Sequence, residues 1–371
     1  MHIREFAVET WMNVHETRCA WNLAETCVAS LTIQELLDLT GKGNSGLDDL
    51  LPMKLTYGAI EGSERLRAAI ASLYETKSAS EVLVTHGAIG ANALVYQALV
   101  GSGDAVVSVL PTYQQHYSIP ESLGAEVRPL WLRAEEGFLP DLDRLRELAR
   151  GAKLIVLTNP NNPTGALIDR SMLEEIVAIA RGAGAWLLAD EVYRGVDQEG
   201  DGFTASLADL YEKGISTGSM SKAYALAGLR LGWIVAPKEV LSAAMIHRDY
   251  NTISVSMIDD PLAALALEAR DRVLARSRDI TRGNLAILSD WVAAEPLISW
   301  VRPRSGTTAL LCYDLDMSSV EFCSRLLDET GVLLVPGSAF DMDGHVRIGY
   351  ANAPDILREG LARTSIFLKG L

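Results

Sequence analysis

Positive charge is what this chain is short of. Its 33 lysines and arginines face 48 aspartates and glutamates, which leaves a net charge of −15 and a pI of about 4.9. So acidic a surface repels phosphate backbones and anionic lipid, and excludes nucleic acid and membrane surfaces as expected partners. Cysteine is also scarce: Cys19, Cys27, Cys312 and Cys323 form no CxxC pair, and no histidine stands at metal spacing from Cys19 and Cys27. No zinc or other metal site is expected, and free thiols in a reducing cytosol are the simplest account. No apolar run approaches the ~20 residues of a membrane span. Residues 1–6 lack the apolar stretch of a signal peptide, so a soluble, cytoplasmic protein is expected. Internal repeats and low-complexity segments are absent as well.

What is present is ordinary globular material. The 371 residues are 49% hydrophobic and 22% charged, enough for a large core and a prior of ~2 domains. Residues 1–38 carry mixed helical periodicity, and a helix pattern starts near Gly62 and runs through Leu66 to Ile70. Short apolar runs over 81–85, 105–109, 126–131, 153–157, 186–189, 215–217 and 233–236 then read as strands, with helices over 88–100 and 170–181 among them. Such alternation points to an α/β domain with a mostly parallel, covered sheet. From about Leu285 the strands shorten (308–312, 332–335, 345–348) between helices over 319–327 and 354–368, the texture of a smaller α+β unit. The expected division is a large unit over 46–284 and a smaller one from 1–45 and 285–371.

The chemistry-bearing strings fall at the carboxyl ends of these strands, where loops of open α/β sheets converge. Lys222 follows 215–217 in Ser219-Met220-Ser221-Lys222, and Arg230 comes eight residues later. A lone lysine here reads as a surface residue. Ser219, Ser221 and Arg230 change that, because hydroxyl and guanidinium donors suit a phosphate monoester. A lysine amine condenses with an aldehyde, so the string suits pyridoxal phosphate held as a Schiff base. Asp190 ends 186–189 and is placed to keep a pyridine nitrogen protonated, with Tyr193 three residues on; the plainer reading is an Asp-Glu pair capping the next helix. Asn162, in Asn159-Pro160-Asn161-Asn162-Pro163-Thr164-Gly165, is either a turn residue or a donor to the cofactor's phenolic oxygen. Gly87, Ala88 and Ile89 open a helix whose free N–H groups suit a phosphate. Tyr113 is a stacking candidate or a rim tyrosine. Arg347, inside a short apolar strand, needs an anionic partner, either a substrate carboxylate or a structural ion pair.

In order and spacing these strings resemble the fold-type I pyridoxal-phosphate enzymes, the class I/II branch of the aspartate aminotransferase superfamily, over nearly the whole chain. The resemblance implies a large domain with a seven-stranded-type sheet, a small α+β domain, and pyridoxal 5'-phosphate as cofactor. It implies that Lys222 carries the cofactor and shuttles the α-proton, with Asp190 on the pyridinium and Asn162 and Tyr193 on the phenolic oxygen. Tyr113 would stack on the ring, Ala88, Ile89, Ser219 and Arg230 would hold the phosphate, and Arg347 the substrate carboxylate. It further implies a homodimer in which Tyr57 reaches the partner's phosphate and residues 250–260 border the partner's site.

The departures bear on substrate. The string Asn22-Leu23-Ala24-Glu25-Thr26 puts a carboxylate where small neutral residues are common, and Glu9 and Glu16 lie upstream. Residues 250–258 contain no arginine to hold a second substrate carboxylate. An acidic pocket with Glu9 and Glu25, and Thr26 beside them as a further substrate-site candidate, would suit a cationic, arginine- or canavanine-like amino acid; solvated glutamates with Glu25 as a helix cap are the competing reading. The expected activity is transamination. Elimination at the β- or γ-carbon, or oxidation or cyclisation of an arginine-like amino acid, uses the same residues.

Overall fold

A computed structural model describes residues 2–48 and 50–371. After α1 (Ala7–His15), β1 (Trp21–Asn22), α2 (Ile33–Thr40) and α3 (Glu64–Ala71), the chain enters a seven-stranded sheet. Its members are β2 (Val82–Thr85), β3 (Ala105–Leu110), β4 (Glu126–Trp131), β5 (Leu154–Thr158), β6 (Trp186–Asp190), β7 (Gly214–Ser219) and β8 (Gly232–Val235). Their order is β2-β8-β7-β6-β5-β3-β4. Every pairing is parallel except the two made by β8, which runs antiparallel to β2 and to β7.

The apolar runs are explained by two covered faces. Along β5, Ile155 and Leu157 join a core with Val107, Leu187 and Ile176, while Leu154 and Val156 point the other way, to Val106, Leu188 and Val95. The edge strand β4 is the exception. It is largely exposed, with Pro129 and Arg128 along a rim that must not recruit another strand.

Helix α4 (Gly87–Leu99) follows β2 and α5 (Gln115–Ser122) follows β3. Expected and observed strands agree to within a residue or two at their ends. A second, antiparallel sheet has the order β12 (Val335–Pro336), β13 (His345–Gly349), β10 (Thr308–Tyr313), β9 (Ile298–Trp300). Its core joins Leu311, Val346, Ile348, Phe322 and Phe367.

Three local features depart from expectation, the first being β9, which is not among the expected strands. The single strand over 332–335 is two strands, because Leu333 pairs with Asn22 while Val335 pairs with Arg347, so β11 (Val332–Leu333) and β12 sit in different sheets. The helical reading of residues 1–38 misses β1, a two-residue strand that runs parallel to β11. This pairing sends the following loop across the end of the large sheet. Gly349 N–H donates to the Leu23 carbonyl at 2.7 Å. A Cβ at Gly349 would collide with the Glu25 carbonyl, so only glycine lets the loop lie this close.

Candidate active site

The carboxyl ends of β5, β6 and β7 and the start of α4 converge on a cavity of about 460 Å³, within the size range of small-molecule sites. Ala88, Ile89, Tyr113, Asn162, Asp190, Tyr193, Ser219, Ser221, Lys222, Arg230 and Arg347 all line it, and so do Glu9, Glu16, Glu25 and Thr26. Gly87 is not among the lining residues but lies directly beneath: a Cβ there would sit 3.3 Å from an Arg230 guanidinium nitrogen. Tyr57 is apart from the cavity and 77% exposed.

Asp190 is the last residue of β6 and is buried. Its Oδ2 accepts from Asn92 Nδ2 at 2.8 Å and pairs with His116 Nε2 at 3.3 Å, and its Oδ1 accepts from the Val192 N–H at 3.2 Å. Behind these, Thr217 Oγ1 donates to Asn92 Oδ1 and His116 Nδ1 pairs with the Tyr96 hydroxyl at 2.7 Å. The sequence reading missed Asn92, His116 and Thr217. The available signal was a polar residue inside an otherwise apolar buried helix, as Asn92 is in α4. The next helix (Leu207–Leu210) has Ser206 as its N-cap, so the pair does not cap it as the plainer reading had it; Glu191 supports that cap from behind. It accepts from Ser206 Oγ, Ser216 Oγ and the Leu207 N–H, and burial raises its pKa.

Lys222 Nζ donates to Thr26 Oγ1 at 2.6 Å and lies 3.6 Å from Cys27 Sγ. Burial alone would depress this ammonium; Cys27, Tyr193 and Glu25 around it outweigh burial and raise its pKa. Burial pushes the Cys27 thiol up to about 11. Glu25 is not a helix cap. Its Oε1 accepts from the backbone N–H groups of Thr26 and Cys27, at 2.8 and 2.9 Å. Burial opposes its charge, but Lys222 and these donors prevail and lower its pKa.

The phosphate candidates cluster at one end. The α4 N-cap, His86, makes no side-chain cap bond, so the first-turn N–H groups stay available. Arg230 adopts φ 50°, a left-handed conformation that turns it back beside this helix start, and its Nη1 donates only to the Ala227 carbonyl, at 3.0 Å.

Arg347 is only 3% exposed and makes no ion pair among the described residues. Its Nη2 donates to the Ala24 carbonyl at 3.0 Å, its Nη1 makes a long contact of 3.4 Å with Asn162 Oδ1, and its Nε has no partner. Burial lowers its pKa. A structural salt bridge is thereby ruled out as its reason for being there. A buried cation with an unmatched donor, in a residue that lines a cavity, is the arrangement an anion would complete.

Helix α1 forms the opposite wall. The Tyr113 hydroxyl donates to Glu9 Oε1 at 2.6 Å, and the Tyr113 ring packs at 4.6 Å against Phe6. The Ala7 N–H donates to Gln114 Oε1, and Gln114 Nε2 to the Glu5 carbonyl. Residues separated by more than 100 positions thus clamp α1 over the cavity.

The profile of the family "Aminotransferase class I and II" matches residues 52–363. The chain belongs to this aminotransferase family. It is 34% identical over 362 residues to capreomycidine synthase of Streptomyces vinaceus, covering 96% of this chain and 92% of that one. It is 29% identical to arginine–pyruvate transaminase of Pseudomonas aeruginosa, over 87% and 84% of the two chains. Among solved structures, a PLP-dependent aminotransferase from Streptococcus suis is 43% identical with a TM-score of 0.96, covering 100% and 99%. The PLP-dependent cyclase OrfR is 30% identical with a TM-score of 0.92, covering 100% and 98%.

This aminotransferase-family enzyme takes pyridoxal 5'-phosphate as cofactor and acts on amino acids. The residues present fit that group: the uncapped start of α4 with Ser219, Ser221 and Arg230 offers anion donors at one end, and the held carboxylate of Asp190 lies in the same cavity as the amine of Lys222. No helix among the described residues is long and apolar enough to cross a membrane.

Proposed function

We propose that this enzyme transaminates an L-amino acid with a cationic, arginine- or canavanine-like side chain. The observation that carries the substrate class is the lining of the cavity: Glu9, Glu16 and Glu25 face it, and Arg347 lines the same cavity with a buried donor that has no partner. A guanidinium taken from water needs carboxylate partners, and this wall supplies three.

Bound pyridoxal phosphate supplies the aldehyde that takes up the amino group and the ring that accepts the electron pair released at the α-carbon. The chain supplies the rest. Arg347 holds the α-carboxylate, and Lys222 Nζ removes the α-proton and returns it. Asp190, fixed by Asn92 and His116, would keep the ring nitrogen protonated. Asn162 and Tyr193 hold the phenolic oxygen, and Tyr113 covers the ring. Ala88, Ile89, Ser219, Ser221 and Arg230 take the phosphate. Thr26, bonded to Lys222 Nζ, orients the amine between these tasks. The working form is a homodimer in the cytoplasm, with a large unit over 46–284 and a small one from 1–45 and 285–371. Its support is an exposed apolar face: Leu51, Leu55 and Tyr57 are 76–86% exposed, Tyr250 is 92% exposed, and the two segments meet where Gly58 approaches Met257. There Tyr57 would complete the partner's phosphate site.

A second reading is cyclisation or elimination, favoured by the synthase and the cyclase among the similar proteins. One measurement separates the two. Cofactor-loaded protein is mixed with arginine, canavanine and neutral amino acids, without a 2-oxo acid, while absorbance and ammonia are followed. A single stoichiometric conversion of the cofactor, with cationic amino acids preferred and no ammonia, is expected. Repeated turnover with ammonia or a cyclic product would establish the second reading.

A further inference from the structure

Transamination needs a second substrate, and the same cavity must admit it. Glu9 and Glu16 are seven residues apart, with Met12 between them, and all three line the cavity. Spacings of three, four and seven put them on one face of α1 and its continuation, about 10 Å long at 1.5 Å per residue. The Tyr113 hydroxyl holds the Glu9 carboxylate on that face. This wall is therefore a strip of negative, apolar and negative character.

The cations of the cavity are three: Lys222, Arg230 and Arg347. Lys222 is the reacting amine, Arg230 stands at the phosphate end, and Arg347 takes one carboxylate. Arg347 is also the independent sign that an anion belongs here, since its buried Nε lacks any partner. Arg248, the only arginine near the segment 250–258, is fully buried and donates to the carbonyls of Val84 and Ile60. Among the described residues of this chain no further cation lines the cavity, and the wall a second carboxylate would approach is acidic.

We propose that the Glu9–Met12–Glu16 face of α1 is a charge filter that restricts the amino acceptor to monocarboxylic 2-oxo acids with short uncharged side chains, excluding dicarboxylic ones. This inference rests on the aminotransferase reading of the site. The same strip has opposite effects in the two half-reactions: it attracts the distal cation of the donor and repels the distal anion of the wrong acceptor. In the chemistry, the amine of the aminated cofactor would condense with the acceptor's carbonyl carbon with loss of water. Lys222 would move a proton from the cofactor's amine carbon to the acceptor's α-carbon, so that the first is oxidised to the aldehyde level as the second is reduced. Water returned at the cofactor carbon would free the product. A new amino acid with a short neutral side chain departs, and no outside oxidant or reductant is needed.

The test loads the protein with the aminated cofactor, pyridoxamine phosphate, and follows the return of the aldehyde absorbance with pyruvate, 2-oxobutyrate, oxaloacetate and 2-oxoglutarate. Monocarboxylic acids are expected to react at least about tenfold more efficiently than dicarboxylic ones, a floor well within what a like-charge juxtaposition supplies. In Glu9→Gln/Glu16→Gln that ratio falls by about tenfold or more. Equal efficiency in the natural protein, or a ratio unmoved in the double variant, overturns the proposal. Binding of glutarate and butyrate to the natural holoenzyme, measured by calorimetry, covers the case of a variant that does not fold; glutarate binding as tightly as butyrate also overturns it. The donor reading fails separately, if neutral amino acids load the cofactor as well as arginine while the acceptor ratio holds. If no 2-oxo acid restores the aldehyde, the aminotransferase reading fails and takes this proposal with it.

Discussion

The floor and the roof of the cavity are made in different ways. The floor is the ends of β5, β6 and β7 with the start of α4. There the groups are fixed by ladder neighbours and by polar networks such as Asp190 with Asn92, His116 and Thr217. The roof is α1 and the 22–27 loop, seated by a few contacts between distant parts of the chain: Phe6 with Tyr113, Ala7 with Gln114, Gly349 with Leu23. A floor anchored in a sheet can fix a reaction, and α1, the part of the roof with no bond to Lys222, can choose among substrates without disturbing that reaction; the 22–27 loop, through Thr26, touches both tasks. Substitutions in the floor should therefore lower turnover for every amino acid, whereas those in α1 should change ratios between substrates.

The largest effect tests the floor. Lys222→Ala removes the amine that both carries the cofactor and moves the α-proton. General acid–base help alone is worth about 10²–10⁴-fold, so a loss of at least about 10⁴-fold in kcat is expected, uniform across donors, with the fold intact by circular dichroism. A loss that differed widely between arginine and a neutral amino acid would blur the division between floor and roof. Next in size is Arg347→Lys, which keeps the charge and loses the planar fork. Weakening a buried carboxylate pair costs about 2–5 kcal/mol. The expected change is a rise in KM for every amino acid and 2-oxo acid alike, because all share the α-carboxylate; an effect confined to one donor would move Arg347 from the common machinery to the selective wall.

The floor was far more legible in the sequence than the roof, for a physical reason. Sheet-end motifs are local: Ser219 to Arg230, or Asn159 to Gly165, carry their chemistry within one loop, and the flanking apolar runs announce the strands. Lys222, Asp190 and Asn162 could all be singled out on that basis, and Arg347, inside a strand of the second sheet, as a charge in an apolar run. The roof depends on tertiary placement. Nothing in residues 7–15 says that this helix will be held by a glutamine 107 positions on, and β1, at two residues, is too short to have a period. The support behind Asp190 was missed because Asn92 and His116 come from two other helices that only the fold brings together. Glu25 was half legible: its presence in the cavity was foreseen, its bond to its own turn was not.

The smallest expected effect lies outside both walls and acts as their control. Asp197 is buried where the loop after β6 meets the segment before β10. Its Oδ1 accepts from Ser305 Oγ at 2.6 Å. Burial outweighs Ser305 and raises its pKa from 3.8 to about 6. The folded state thus binds more protons than the unfolded chain between roughly pH 4 and 6, so stability from this group is present at low pH and is lost as pH rises through that window. Asp197→Asn keeps an oxygen for Ser305 and removes the ionisation. It should add stability at pH 7, at most about 3 kcal/mol for a shift of some two units, and leave the acid end unchanged. Denaturant unfolding at pH 4 and pH 7 should show the two proteins diverging only as pH rises; parallel curves would mean that Asp197 ionises in the folded state as it does in water. Neither the donor nor the acceptor ratio should move, because Asp197 touches neither the strand-end machinery nor α1. If those ratios did move, the two walls would be coupled through this joint and could not be treated as separate parts.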